Sequence, residues 1–307
     1  MPKSVFILGS PEDEHAACVA ERVAARGLHV GWLNGNQFPA AWNIAFEPSG
    51  GGHVVTSDGQ KNDFDQIESV YWRTYLPPVY PNLPNAEQAD LAYTDSRCLF
   101  DALLIELPTR WVNGWAGFQT HQCKPAALAR VERLALGPRL RIPKTLHTND
   151  PAALTRFVEE VGDCIFKPVH GGAHTRRVSK VHLSPEHLEL LQHAPVTIQQ
   201  EAPGVDVRVF IAGQRVLACE LQTEALDFRD DEDPRIVATD LPDDVIDDCR
   251  KIAAALDLVW TGIDLRRTND DEFYFFEANP SPMFLGFESR CGLPLTESLV
   301  DLLVGKQ

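Results

Sequence analysis

The sequence of 307 residues predicts an α/β domain followed by a longer α+β region, a length typical of about two domains. Residues 4–34 have the pattern strand, helix, strand, which is typical of a βαβ unit. Short apolar runs then alternate with helical patterns up to about residue 196. Beyond that point, neighbouring apolar runs joined by short polar turns indicate antiparallel hairpins.

The first segment, residues 1–112, begins with an apolar run over 5–8 that predicts a strand. Ser10 can cap the helix that follows, and Pro11 suits its first position. Further strands are predicted over 28–33 and 69–72, and a long helix from about 86 to 106. The GxGxxG fingerprint is absent, which argues against a dinucleotide oxidoreductase.

The rest of the chain divides into two segments, 113–198 and 199–307. In the former, helices are predicted over 124–136, from Pro151 and from Ser184, and strands over 142–146, 164–167 and 177–183. In the latter, strands are predicted over 206–211, 215–221 and on both sides of 269–271, and helices over 243–256 and 295–303.

Composition narrows the class of protein. A net charge of −16 argues against a nucleic-acid partner, which needs clustered basic residues. Seven cysteines without a CxxC pair indicate free thiols in a reducing compartment. We see neither a signal peptide nor a long apolar helix, so we expect a cytoplasmic protein with no membrane partner.

A hairpin near the C-terminus carries the most informative polar residues. If 270–271 form a two-residue loop, Asn269 pairs with Glu272. The same register places Asp264 opposite Glu277. A β-strand alternates its side chains, so we expect Glu277 to share one face with other odd-numbered residues of its strand.

On that face, Glu277 and Asn279 lie two residues apart, and Phe273 and Phe275 accompany them. A carboxylate beside apolar rings needs a cation or donors to offset its desolvation. Two carboxylates and an amide oxygen suit Mg²⁺, which usually accompanies a phosphate. The alternative is a solvated hairpin face.

Several basic residues are candidates for phosphate contacts. Lys167 ends an apolar strand, and the glycines Gly171 and Gly172 that follow can expose backbone N–H groups to an anion. A strand-end lysine beside a flexible turn is an equally good interpretation. Arg208 lies mid-strand and faces either solvent or a polar cleft, and Lys124 is ambiguous in the same way.

In their order along the chain, these residues resemble the ATP-grasp superfamily. The likeness is greatest to the branch of peptide and protein ligases that add glutamate to a ribosomal protein, and to the microviridin-type graspetide ligases. The resemblance implies a pre-ATP-grasp α/β domain (1–112) followed by a two-lobed ATP-grasp domain. A linker helix and the small lobe would span 113–198, and the large lobe with the metal site 199–307.

The resemblance also assigns roles to individual residues. Lys167 and Arg208 would be catalytic, near the phosphates and the transferred phosphoryl group. The ATP-binding residues would be Lys124, Lys167, Gly171, Gly172, Gln200, Glu201, Ala202, Asp206 and Arg229. Within this set, Glu201 and Ala202 would contact adenine, and Asp206 the ribose. The Mg²⁺ ligands would be Asp264, Glu277 and Asn279.

The implied function is an ATP-dependent carboxylate–amine (or hydroxyl) ligase that acts on a small-molecule or peptide substrate through an acyl phosphate. A graspetide-type peptide macrocyclase is a narrower alternative, and a non-catalytic ATP-binding module is one of another class. Graspetide ligases often carry Gly-Gln-Trp after the Asn-Pro, whereas residues 280–284 read PSPMF here. A homo-oligomer is left open.

Overall fold

The computed structural model describes residues 3–172, 174–223 and 234–306. Its first segment contains β1 (Ser4–Leu8), α1 (Glu14–Ala25), β2 (His29–Leu33), β3 (Asn43–Phe46), β4 (Gly52–Val55), β5 (Lys61–Asp63), β6 (Ile67–Trp72), α2 (Ala86–Glu106) and β7 (Arg110–Val112). The main sheet is parallel, in the order β2-β1-β6-β7, and β3, β4 and β5 form a separate antiparallel sheet. All of β1 is buried, as expected for a parallel strand covered on both faces.

The first helix begins later than the sequence predicts. Asp13, and not Ser10, is its N-cap, and the carboxylate accepts a hydrogen bond of 2.8 Å from the N–H of Ala16. The guanidinium of Arg73 also holds this carboxylate, with Nε 3.0 Å from Oδ1. An ionised acceptor makes a stronger hydrogen bond than a hydroxyl, which favours Asp13 as the cap.

The second segment contains α3 (Trp115–Gln122), α4 (Lys124–Glu132), β8 (Leu140–Arg141), β9 (Thr145–Thr148), α5 (Pro151–Val161), β10 (Cys164–Pro168), β11 (Arg176–Arg177), α6 (Pro185–Glu189) and β12 (Val196–Gln200). An antiparallel sheet has the order β11-β10-β12-β9. The strand predicted over 142–146 begins only at Thr145, because Pro143 cannot donate a ladder hydrogen bond.

The strand predicted over 177–183 is also wrong in extent. It is limited to β11, and Lys180–Leu183 form a 3₁₀ helix. Here Ser179 donates its backbone N–H to Nδ1 of His182 at 3.0 Å. Such local side-chain hydrogen bonds compete with a β ladder.

The third segment contains β13 (Val205–Ala212), β14 (Arg215–Gln222), β15 (Arg235–Thr239), α7 (Asp243–Ala255), β16 (Trp260–Arg267), β17 (Phe273–Asn279), α8 (Leu285–Cys291) and α9 (Leu295–Leu303). Its six-stranded sheet has the order β15-β14-β13-β16-β17-β8. The boundary predicted at residue 198 thus falls inside β12, and β8 joins the larger sheet; the exact bounds of the two lobes stay a prediction.

The two faces of the larger sheet have different partners. One face packs on α7 through a buried cluster that includes Val209, Ile263 and Phe275. On the other face, the end that carries Phe210 and Trp260 packs against α9 and the first domain. The remaining part of that second face is left for polar side chains.

The last hairpin has the predicted pairing of Asp264 with Glu277, but its loop is different. Thr268 pairs with Glu272 around a three-residue loop, 269–271, in which Asp271 has a φ of 55°. The predicted pairing of Asn269 with Glu272 is therefore wrong. A β-bulge that leaves Phe276 without a partner residue restores the predicted register at Glu277.

The bulge also changes which face of β17 carries Glu277. Phe275 and Ala278 both lie in the α7 core, so the side chains between them, Phe276 and Glu277, are on the opposite face with Asn279. The expectation that Glu277 shares a face with Phe273 and Phe275 is wrong, because an extra residue reverses the alternation. Among the described residues, we find no helix with the length and apolarity to cross a bilayer.

Candidate active site

A cleft of about 600 Å³ lies between the four-stranded sheet β11-β10-β12-β9 and the polar part of the six-stranded sheet. Most residues singled out from the sequence line it: Lys124, Lys167, Gly171, Gly172, Glu201, Ala202, Asp206, Arg208, Asp264, Glu277 and Asn279. Gln200 is not among the lining residues, and its side chain amide oxygen faces the N–H of Lys144 at 3.4 Å. Arg229 lies outside the described residues.

Strand register brings the central charges together. Arg208 on β13 lies opposite Asp264 on β16, which in turn lies opposite Glu277 on β17. The three side chains therefore form a row across three neighbouring strands. Asn279 follows two residues later on the cleft face of β17.

Each carboxylate in this row is paired with a cation. Lys124 Nζ donates to Glu277 Oε2 at 2.6 Å, and Arg208 Nη1 lies 2.7 Å from Asp264 Oδ1. Burial alone would raise the pKa of Glu277, but the charge and hydrogen bond of Lys124 hold it below its usual value. Both pairs join a predicted metal ligand to a residue predicted to contact phosphate.

Asp264 has less compensation for its buried charge than Glu277 has. Burial raises its pKa to about 6, against the opposing effect of Arg208 and with added repulsion from Glu277. Its Oδ1 is buried and accepts no hydrogen bond from the described residues, so the contact with Arg208 is an ion pair rather than a well-directed hydrogen bond. A cation in the cleft would offset this cost.

The donor set fits a hard cation that brings further ligands with it. Asp264 and Glu277 offer carboxylate oxygens, and Asn279 offers Oδ1, which already accepts a 2.9 Å hydrogen bond from the N–H of Ser281. No group of three or more His, Cys, Asp or Glu in the described parts of the chain could hold a metal by itself. Mg²⁺ matches this incomplete shell, because it commonly takes one or two carboxylates together with phosphate oxygens and waters.

Lys167 projects from β10 into the same cleft. Its Nζ donates to Gln199 Oε1 at 3.2 Å and lies 5.8 Å from the ring centroid of Phe276. Burial lowers the pKa of Lys167, and nearby Lys124 adds to this effect. Gln199 and Phe276 were missed by the sequence analysis, since a strand's alternation does not reveal which face meets a cleft.

The backbone conformation of the segment after β10 requires glycine at two positions. Gly171 and Gly172 have φ values of 104° and 91°, in the region that favours glycine. A Cβ at Gly171 would lie 3.0 Å from Lys124 Nζ. The segment therefore approaches Lys124 closely, and both can face the same anion.

Arginines also hold Glu201 and Asp206, the two acids predicted to contact the nucleoside. Arg177 reaches both oxygens of Glu201, with Nε 2.9 Å from Oε2 and Nη2 2.7 Å from Oε1. The hydrogen bonds of Arg177 lower the pKa of Glu201, although partial burial opposes this. Arg266 Nε donates to Asp206 Oδ1 at 2.7 Å.

Arg266 also donates to the carbonyl oxygen of Ala202 at 3.2 Å. This arginine was missed, although it lies two residues after Asp264 on one strand face. For Arg177, no pattern in the neighbouring sequence predicts its contact with Glu201.

Two half-buried histidines were also missed. His147 shares a 2.9 Å contact between Nδ1 and Thr197 Oγ1, and its buried Nε2 has no hydrogen-bond partner among the described residues. Burial lowers the pKa of His147 and of His121, which lines the cleft beside Lys124. Both imidazoles therefore favour the neutral form.

Comparison with known proteins supplies relatives of known structure. Neither a family model nor a curated protein matches the sequence. The ATP-grasp ligase PsnB complexed with minimal precursor is 32% identical over 100% of both chains, with a TM-score of 0.83. A PsnB complex with minimal precursor, Mg and ADP is 31% identical over 100% of this chain and 99% of that one, with a TM-score of 0.84.

Less similar chains share the fold alone. The macrocyclase MdnC bound with precursor peptide MdnA, from Microcystis aeruginosa MRC, is 22% identical over 98% of this chain and 99% of its own, with a TM-score of 0.83. The RimK domain protein ATP-grasp from Sphaerobacter thermophilus is 18% identical over 98% of this chain and 100% of its own, with a TM-score of 0.59.

Proposed function

The chain belongs to the ATP-grasp ligases, and from this premise we propose that it uses ATP to join a peptide carboxylate to an amine or hydroxyl. The resemblance inferred from the sequence is confirmed, as is the fold class of a pre-ATP-grasp α/β domain followed by a two-lobed ATP-grasp domain. ATP and Mg²⁺ are the cofactors in this proposal, because PsnB is known in complex with Mg and ADP.

The observation that supports the proposal most strongly is the row Arg208–Asp264–Glu277 with Lys124 and Lys167 around it. Within an acidic protein, these cations are gathered in one cleft. Asp264, Glu277 and Asn279 would hold Mg²⁺, which neutralises phosphate charge when it is bound. Lys167 and Lys124 would bind phosphate oxygens, and Arg208 would stabilise charge on the transferred group.

The chemistry then needs little from the protein beyond position and charge. A substrate carboxylate attacks the γ-phosphorus of ATP, the bond to ADP breaks, and an acyl phosphate forms. An amine or hydroxyl attacks the acyl carbon, phosphate leaves, and the nucleophile loses a proton. Positioning and electrostatic stabilisation are the main catalytic effects in such phosphoryl transfers.

The two ion pairs each join a proposed metal ligand to a proposed phosphate-binding residue. Lys124 and Arg208 can exchange their carboxylate partners for phosphate oxygens, which would free Glu277 and Asp264 for the metal. The exchange keeps every charge compensated, and this matters because an unpaired buried charge is costly. Lys124, Arg208 and the two acids thus act as one unit.

A peptide is the proposed substrate because PsnB, alike over the full length, is known with precursor peptides. A graspetide-type macrocyclase is the narrower form of this proposal. Residues 280–284 read PSPMF in place of the Gly-Gln-Trp that graspetide ligases often carry. This segment would border the site of the acceptor substrate, so we expect this chain to accept a different peptide from those ligases. The second candidate, a non-catalytic ATP-binding module, would bind the nucleotide without turnover.

The test is an ADP-release screen over acids and peptides with hydroxylamine present, which converts any acyl phosphate to a hydroxamate. We expect ADP release that depends on an acidic peptide. Mass spectrometry then separates cyclisation, seen as loss of water, from ligation to a second molecule, seen as an added residue. Asn279→Ala is the matched inactive control. Nucleotide binding with no ADP release on any substrate would favour the non-catalytic module.

A further inference from the structure

We propose that Asp13 and Arg73 of the first domain position Asn279 for its role as a metal ligand. They act through residues 280–284, here called the 280–284 loop. The inference rests on the proposed function only for the identity of the metal. Asp13 and Arg73 would be positioning residues, since neither lines the cleft.

The location of these two residues in the first domain is the starting point. Asp13 follows β1 and Arg73 follows β6, so both lie at the carboxyl ends of neighbouring parallel strands. The chain leaves β1 towards β2 on one side, while β6 lies on the other side of β1. Open α/β sheets bind their ligands in the crevice at such a switch point.

In this protein, the crevice holds a segment of the chain's own C-terminal region. Arg73 Nη1 donates to Ser281 O at 3.1 Å, to Ser281 Oγ at 3.0 Å and to Pro282 O at 3.2 Å. Its Nε donates to Asp13, 3.0 Å from Oδ1 and 3.1 Å from Oδ2. The Arg73 side chain is only 8% exposed, so these contacts are made away from water. A rigid guanidinium fork suits such a set of acceptors better than an ammonium does.

Ser281 passes this restraint to the proposed metal ligand. Its N–H donates to Asn279 Oδ1 at 2.9 Å, which fixes the amide of Asn279. Asn113 Nδ2 donates to Pro280 O at 2.8 Å and holds the intervening backbone. Direct hydrogen bonds therefore lead from Asp13 through Arg73 and Ser281 to Asn279 Oδ1.

Close packing beneath the loop is an independent sign that its position is restricted. Gly262 lies opposite Asn279 in the sheet, and a Cβ at Gly262 would be 2.8 Å from Pro282 Cβ. The far end of the loop is anchored as well, since the Phe284 N–H donates to His15 Nδ1 at 3.4 Å and the two rings are 4.7 Å apart. His15 belongs to the same first-domain helix that Asp13 caps.

The test compares Arg73→Lys with Arg110→Lys. Arg110 is a matched control, because it also belongs to the first domain and donates to a C-terminal carbonyl, Leu303 O, at 2.6 Å. The thermal-unfolding midpoint is measured during a Mg²⁺ titration with a non-hydrolysable ATP analogue present. The Mg²⁺ requirement is the Mg²⁺ concentration that gives half of the full shift in the midpoint. For Arg73→Lys, we expect this concentration to rise about tenfold, the effect of losing one good charge-assisted hydrogen bond. The shift caused by the nucleotide with EDTA should not change.

A second variant and a second readout guard against a folding defect. Asp13→Asn keeps a good N-cap while it removes the charge that orients Arg73. We expect a smaller rise in its Mg²⁺ requirement. Hydrogen exchange in a peptide that begins several residues before Asn279 and ends at residue 287 should be faster in Arg73→Lys without any ligand. The reason is that Arg73 no longer restrains Ser281, whose N–H donates to Asn279 Oδ1.

The outcomes separate this inference from the proposed function. An unchanged Mg²⁺ requirement in folded Arg73→Lys and Asp13→Asn overturns it, as does an equal rise in Arg110→Lys. If wild type responds to Mg²⁺ but no substrate supports ADP release, the proposed ligase activity fails and the positioning role stands.

Discussion

The pair Lys124–Glu277 is expected to change partners during function, and Glu277→Gln examines this directly. The substitution keeps the size of the side chain and an acceptor oxygen, so Lys124 Nζ can retain a neutral hydrogen bond in place of the present 2.6 Å ion pair. A charge-assisted hydrogen bond contributes about 1.5–3 kcal/mol and a neutral one about 1 kcal/mol. We therefore expect the free energy of unfolding to fall by about 1 kcal/mol without ligand.

Lys124→Met should be more damaging, because it leaves the partly buried Glu277 carboxylate without the cation that pairs with it. Removal of one partner from a buried pair costs about 3–5 kcal/mol, and the side-chain exposures of 27% and 32% reduce this to about 2–3 kcal/mol. The double variant should lose at least about 1 kcal/mol less than the sum of the single losses.

Two assays on the same preparations separate stability from catalysis. Urea unfolding without Mg²⁺ reports the stability of each variant, and ADP release with an accepted substrate reports turnover. Glu277→Gln should abolish turnover while it keeps the fold, because the metal loses one of two carboxylates. Undiminished ATP consumption by well-folded Glu277→Gln would contradict the metal assignment, and additive stability losses would contradict the coupling.

Three further predictions concern the ends of the cleft and the loop. Gly262→Ala should lower kcat about a hundredfold in the ADP-release assay, because the new Cβ displaces the 280–284 loop; Gly286→Ala, where a Cβ meets nothing within 4 Å, is the control, and an unchanged kcat would refute the packing argument. Arg177→Met should reduce the preference for ATP over GTP in nucleotide-binding titrations, because Glu201 loses its fixed orientation; a retained preference would exclude this role. His15→Asn should lessen the stability lost between about pH 7 and about pH 5. Burial holds the pKa of His15 below 6.5, so its stabilising effect is present above 6.5 and lost as the pH falls below it; equal urea midpoints for variant and wild type at both pH values would refute this.

Local signals predicted the order of the elements well. The helix Ala86–Glu106 has the predicted bounds, and the hairpin of β13 and β14 agrees to within a residue at each end. Apolar periodicity carries this information, because it reflects which residues must be buried. Ser10 failed as a cap because Arg73, 60 residues away from Asp13, stabilises the competing acid.

The hairpin of β16 and β17 shows what a local sequence pattern cannot predict. The pairing of Asp264 with Glu277 is as predicted, yet it results from a longer loop and a bulge that compensate each other. Without the bulge, Glu277 would face the α7 core beside Phe275. A shift of one residue reverses the face of every side chain in a strand, and the sequence does not mark the bulge at Phe276.

By itself, the sequence determined the fold class, the family and the strands that carry the acids and the phosphate-binding candidates. Only the tertiary structure decided the partners: Lys124 for Glu277, Arg266 for Asp206, Arg177 for Glu201 and Arg73 for the 280–284 loop. Burial patterns and short motifs are written within a few neighbouring residues. Ion pairs and loop supports join residues that are remote in the chain, and strand register and domain packing bring them within hydrogen-bonding distance.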